Sequence, residues 1–588
     1  MTTFTTPTKH NRPAGAHFAD LRPRHRAVLA RGSWRRVTRR IVCGLACALT
    51  VSSLLMPSIS LAAEWVDVGG TQYNAGTAAG DDAGTWSWDG ADDMKLNGYD
   101  GGAINAAGKL NIAYEGKNTV KTEPDYTGAA IKAQDGTNQK AELNITSSNS
   151  TDELNVTAEA DAIKSTGDLS ISGPGTVNTT STNSDGIEAK GDLSITGSGT
   201  VNATGGTEGI QSKGKTTIDS SGTVIAKGGE GYGVAAGSDL IIKGGGKVEA
   251  SSIGKAAIWT KDDINISGGS QVKANSKEDY AVKAIGGLTV TNASLNAHGV
   301  GYGVYAYKGI TLDHATVTVR AAAERDGVSA LFTDEDDIVI KNGSIVDAFA
   351  EGEFSTAIST RNYNPNEAGG HIYISDSVVK AIARYIETGG DGPDCYSGDQ
   401  DGEITPERRG VNIGIFAQTS EGITPATISI VRSTVTAEGD TAAIFALAMS
   451  ADGKAIGTIE IEGANILTPE SGKVIDYRHK EELSDGTVYE AGQAIGTGDA
   501  VIDSPYDDAV AKRAVIAPSE ETKPEDSKPD SKSEGTKTAK TVATATVEAK
   551  TVGKLAATGD TSGAAIVATA LAGAAAIAAG AVASRKRS

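Results

Sequence analysis

Ser184–Gly205 reads SDGIEAKGDLSITGSGTVNATG. Just upstream, Ala160–Ser181 reads ADAIKSTGDLSISGPGTVNTTS, and just downstream Thr207–Gly228 reads TEGIQSKGKTTIDSSGTVIAKG. Each copy holds one aliphatic after a Gly or Ala and two further short apolar runs, separated by glycine-rich turns. The first aliphatic falls at Ile104, Ile131, Ile163, Ile187, Ile210, Val234, Ile258, Val282, Val304, Val328, Ile358, Ile415 and Ile444. From Ile163 to Val328 the steps are 24, 23, 24, 24, 24, 22 and 24 residues, a fixed period that signals a solenoid.

Three strands fit within one period. Runs such as LSI, INI, LTV and ITL alternate apolar with polar, as strands with one buried face do. The residue before each marked aliphatic is Gly or Ala, and the residue two after is Ala, Ser or Thr, in all thirteen copies. Alternation sends the aliphatic and the small residue inward and the one between them outward. A narrow coil has no space for large side chains near its corners. One coil cannot bury its own apolar side chains, but stacked coils close a continuous core. The sequence therefore predicts an all-β fold, a parallel β-helix of about thirteen three-strand coils. At about 4.8 Å per strand the stack is roughly 60 Å long. The crossover rule favours a right-handed coil.

The expected organisation is a signal peptide with a basic leader over 1–63, an N-terminal cap over 64–100 and the β-helix over 101–469 with an insertion at 387–411. A C-terminal cap over 470–517, a disordered linker over 518–554 and a sorting segment over 555–588 complete it. Residues 41–63, IVCGLACALTVSSLLMPSISLAA, follow a basic run and end in small residues, the pattern of a secretory signal. Residues 518–554, with KPEDSKPDSK, are too polar to form a core and suit a spacer. Residues 563–583 carry no charge, are long enough for a membrane-spanning helix and precede SRKRS. With Cys43 and Cys47 in the signal, Cys395 is left alone, so no disulfide staples the mature chain.

Leu555-Ala556-Ala557-Thr558-Gly559, the apolar stretch and the basic tail together resemble the sortase sorting signal of Gram-positive surface proteins. The usual pentapeptide has Pro where Ala556 stands. The resemblance implies cleavage between Thr558 and Gly559, linkage of Thr558 to cell-wall peptidoglycan, and membrane contact only through the helix before sorting. Trp86–Val120 and the coils that follow resemble β-helical regions of Gram-positive surface proteins often described as carbohydrate-binding. That resemblance covers about residues 85–465 and implies a glycan ligand.

The chain's formal charge is −20, but its two ends are basic, so residues 64–559 carry −31. A body this acidic argues against nucleic acid or an anionic membrane as partner. For glycan, the suggestive residues are Trp259, Lys283 and Tyr305, on successive coils in the outward column, with Tyr232, Tyr280 and Tyr302 just before the marked aliphatics. Trp259 and Tyr305 would lie two coils apart, roughly 10 Å. Flat rings stack on sugars, and Lys283 would suit an acidic one; the competing reading is ordinary aromatics filling turn corners. Phe416 and Phe445 share the outward column further on.

The chain's catalytic motifs are incomplete. Asn183–Ile187 (NSDGI) resembles one polygalacturonase motif, yet the neighbouring coil offers only Glu208 in that column and no carboxylate pair. Asp161, Asp185, Glu208 and Asp326 recur as turn residues. A pectate-type lyase would need Ca²⁺ and a basic residue such as Arg, and no Arg stands between the signal and Arg320. Asp399 and Asp401 are the candidate Ca²⁺ ligands, in an insertion whose Ser397 and Arg408 sit where an EF-hand needs ligands. No other cofactor is called for. The sequence thus points to a secreted, wall-anchored, non-catalytic adhesin that binds carbohydrate. A polysaccharide lyase and a protein-binding adhesin or passive stalk remain as alternatives.

Overall fold

The structure, a computed structural model, describes residues 62–519 apart from 138–139, 324–326, 363–368, 387–411, 421–424, 450–456, 478–480, 483–487, 490–498 and 503–509. Residues 1–61 and 520–588, with nearly all of the expected signal and linker and the whole sorting segment, lie outside the described residues, as do Asp326, Cys395, Asp399 and Asp401. Among the described residues the regular structure is all strand, in three long sheets of mainly parallel neighbours.

Each coil contributes one strand to each sheet. In the first sheet Ile104, Ile131, Ile163, Ile187 and Ile210 stand in one register row. The row continues through Val234, Ile258, Val282 and Val304. All of these side chains are fully buried. Burying an aliphatic of this size contributes about 1.5–3 kcal/mol, repeated at every rung. The small-residue column is buried throughout, from Ala106 to Ala446.

At the tenth coil the register differs from the sequence expectation. Val304 pairs with Leu331, not Val328, and Ala306 with Thr333. Leu331 in turn pairs with Ile358. The step is therefore 27 residues, not 24. Ala330-Leu331-Phe332-Thr333 obeys the same small–aliphatic–x–small rule as Gly327-Val328-Ser329-Ala330, and the chain takes the later copy. Phe332, not Ser329, occupies the outward column.

The second sheet runs in register from Lys109–Glu115 to Gly457–Glu462, and the third from Lys117–Lys121 to Thr434–Gly439. The turn between them carries a glycine column. A Cβ on Gly199 would lie 2.1 Å from the carbonyl oxygen of Gly175, and one on Gly222 would lie 1.9 Å from that of Gly199. Those carbonyls accept the amides of Thr200 and Thr223 (3.0 and 3.1 Å). Stacking the turns at rung spacing leaves no space for a side chain there.

Antiparallel strands cover both ends of the stack, where unpaired edges would otherwise stand open. Trp65–Val68 pairs with Ile104–Ala107 and, as a hairpin, with Thr71–Asn74. Trp86–Trp88 and Asp93–Asn97 add a second antiparallel pair, with Trp88, Met94 and Leu96 packed into the core. At the far end Asp499–Ile502 runs antiparallel to Ala442–Met449, and Arg513–Pro518 to Thr434–Gly439.

Candidate functional site

The outward column of the first sheet forms one ribbon along the stack. Trp259, Lys283, Tyr305 and Phe332 follow each other in register, one rung apart. Tyr232 and Tyr280 enter from the turns before their strands and Tyr302 opens its own, so all six aromatic and cationic residues singled out in the sequence meet on one strip. All six are half-buried.

The rings pack on one another. Tyr232 stacks on Trp259 at 5.3 Å between centroids and 20° between planes. Tyr280 stacks on Tyr305 at 5.7 Å and 21°. Tyr302 meets Tyr280 edge-on at 4.9 Å and 88°, and lies 5.1 Å from Phe332. Such pairs contribute about 0.5–1.5 kcal/mol each beyond the area they bury. Lys283 does not stand free between two sugar positions. Its ammonium sits 4.6 Å from the Tyr280 ring centre and 5.9 Å from that of Tyr305. Lys255 covers Tyr232 in the same way at 4.8 Å.

The strip ends in a charged clasp. The Tyr305 hydroxyl donates to Asp334 (3.2 Å), which also accepts two bonds from Arg361 (3.1 and 3.2 Å). The Arg361 guanidinium lies over Phe332 at 5.3 Å. Burial pushes the Tyr305 phenol up, and the Asp334 charge adds to it; burial does the same for Tyr232. Both phenols therefore keep their protons, and their hydroxyls remain donors. Phe332 and its clasp escaped the sequence reading because of the misplaced register; the repeated small–aliphatic–x–small pattern was the signal that offered the alternative. Further along, Phe416 and Phe445 are rung neighbours with centroids 5.6 Å apart.

A second constellation lies at the third to fifth coils. Asp161 accepts the Ser184 hydroxyl (2.5 Å) and the Asp185 amide (3.2 Å). One coil on, Asp185 repeats this with the Thr207 hydroxyl and the Glu208 amide (3.1 Å). The recurring acids are thus turn ties between coils, as their repetition implied. They also sit unusually deep. Asp161, Asp185 and Glu188 are all buried, and each brings a carboxylate oxygen within 4.8 Å of the others. Lysines fill the cationic role here: Lys164 bridges Asp161 (2.6 Å) and Glu188 (2.5 Å), and Lys190 also pairs with Glu188. Burial opposes ionisation of Asp161, but Lys164 and Ser184 hold its carboxyl below the usual range. Asp185 goes the other way, pushed up to about 7 by burial and by the carboxyl of Glu208. A carboxyl that keeps its proton close to neutral pH is a candidate acid–base group. Asp185 keeps only 5 % of its surface exposed, and one of its oxygens already accepts two bonds, so a substrate has little approach.

Compared with known families, residues 103–239 match the family described as carbohydrate-binding domain-containing protein. The match spans under a quarter of the chain: the first five coils and the start of the sixth. It supports carbohydrate binding in general terms. No curated protein and no solved structure matches the chain. Tyr232 and the buried carboxylates fall inside the matched segment, whereas Trp259, Lys283, Tyr305 and Phe332 continue the same sheet beyond it.

Proposed function

We propose that the protein is a non-catalytic surface adhesin that binds glycan along the outward face of its first sheet. The family match over 103–239 carries this reading, since its strands begin the sheet that Trp259 and Tyr305 continue beyond the matched segment. The strip suits sugar rings in three ways. Its aromatic edges are half-exposed, its hydroxyls stay protonated, and its mutual packing fixes the rings before a ligand arrives, which lowers the ordering cost of binding. Lys283, held over two tyrosines, serves to rigidify the strip more than to recruit an acidic sugar.

The sorting-signal resemblance supports a position on the outside of a Gram-positive cell, with Thr558 joined to peptidoglycan. The acidic body supports a secreted role without nucleic-acid partners.

A glycan array probed with the wild-type ectodomain and with Trp259→Ala and Tyr305→Ala tests the binding face. Loss of signal in both variants, with the far-UV spectrum unchanged, is the expected result. Binding retained in both removes the strip from the reading. Unsaturated products released from a uronate polymer would replace binding with lyase chemistry. Mass spectrometry of wall fragments tests the anchor: a peptide ending at Thr558 and joined to peptidoglycan is expected.

A further inference from the structure

The first coil carries a groove that the periodic reading does not foresee. It encloses about 1010 Å³, at the upper end of the range for small-molecule sites. Its floor is the start of the same ribbon, where Asn105, Lys132 and Gln134 point outward. One wall is the antiparallel hairpin at 65–74, which adds Trp65 and Gln72; the other is the turn at 121–128, which adds Thr122 and Tyr126. The hairpin runs against the grain of the solenoid, so it raises a side wall that parallel coils alone do not make.

Two observations point to a ligand. First, the two walls each offer a ring: Trp65 is half-buried and Tyr126 is exposed. Tyr126 is held in place, because its hydroxyl accepts the Asn105 side-chain amide at 2.9 Å. Second, the polar lining mixes amide and hydroxyl side chains with charged ones, and its two lysines are offset by Asp67, Asp100 and Glu123. A lining so nearly balanced in charge suits many neutral hydroxyls better than one strong charge.

We infer that this groove is a separate binding site for an uncharged oligosaccharide, with Trp65 and Tyr126 as the stacking walls and Asn105, Gln72 and Gln134 as the hydrogen-bonding set. The sugar class rests on the proposed function above; the site itself rests on the geometry. Asn105 and Trp259 lie six rungs apart, about 29 Å, so the groove and the aromatic strip are independent stations on one face.

The test uses the intact protein on an array of neutral β-glucan, mannan and galactan oligosaccharides, with Tyr126→Ala and Gln72→Ala compared with wild type. Affinity is expected to fall about 10-fold in Tyr126→Ala, equal to about 1.4 kcal/mol. Gln72 is exposed, so Gln72→Ala should weaken binding while leaving the melting temperature unchanged, which separates binding from folding. If both variants bind as wild type, the groove inference fails and the strip stands. Wild-type protein that binds no oligosaccharide overturns both.

Discussion

Replacing Asp185 by Asn should flatten the pH dependence of stability in a defined window and direction. Burial and the Glu208 carboxyl lift the Asp185 pKa from its ordinary value near 3.8 to about 7. A folded-state pKa above the unfolded one means that the native chain holds a proton the unfolded chain has released. The associated stability is fully present below about pH 4 and is lost progressively as pH rises to about 7, after which the loss is complete. Between pH 5 and pH 8 the native state crosses about two units of this shift. At 1.36 kcal/mol per unit that is about 2–3 kcal/mol, an upper bound because Asp185 lies against another carboxyl. Asp185→Asn keeps an oxygen for the Thr207 hydroxyl and the Glu208 amide, and carries no charge at any pH. The stability of the variant relative to wild type should therefore rise by up to about 2–3 kcal/mol between pH 5 and pH 8. Urea unfolding followed by far-UV circular dichroism at both pH values gives the comparison, and taking variant minus wild type cancels every other titrating group. A difference that is the same at pH 5 and pH 8, or one that falls toward pH 8, refutes the raised Asp185 pKa.

Two further substitutions test the stack itself. Gly222→Ala places a Cβ 1.9 Å from the Gly199 carbonyl, so the turn must move by more than an ångström; the expected cost is about 3 kcal/mol, read as a lowered urea midpoint, and an unchanged midpoint would show that the turn relaxes freely. Leu331→Ala, at the register position shared with Val304 and Ile358, should cost about 2–5 kcal/mol; a cost well under 1 kcal/mol would put the tenth coil back on the 24-residue step.

The solenoid was legible because each rung repeats the same physical problem. An aliphatic, an outward residue and a small residue recur wherever the first sheet passes, and Ile187 or Ile258 cannot serve in another fold with that spacing. What the period could not settle was the choice between two valid copies. Val328 and Leu331 both satisfy the rule, and only the pairing with Val304 and Ile358 decides between them. Burial on the outward column was also hidden. Glu188 and Phe332 occupy positions that alternation assigns to solvent, yet both are buried, because lysine stems cover one and two tyrosines with Arg361 cover the other. The groove was invisible for a different reason. Trp65 and Tyr126 are 61 residues apart in the chain, and only the antiparallel hairpin, which no repeat encodes, brings them to one cleft.

The division of labour along each strand explains how such a scaffold acquires a function without disturbing its fold. Inward positions are constrained by the rung above and the rung below, so they vary little: aliphatic, then Ala, Ser or Thr. The position between them has no such constraint and changes freely, from Asn105 and Lys132 through the Lys164–Glu188 ion pair to Trp259, Tyr305 and Phe332. Because every rung adds one outward residue at a fixed spacing of about 4.8 Å, side chains far apart in sequence become neighbours on a ruled surface. A long polymer can meet such a surface at several points, and weak contacts then add through effective concentration. A buried acid such as Asp185 gains nothing from this geometry, since it ties one turn to the next from beneath the surface. The ribbon of the first sheet gains most, and it is there that the aromatic strip and the groove both lie.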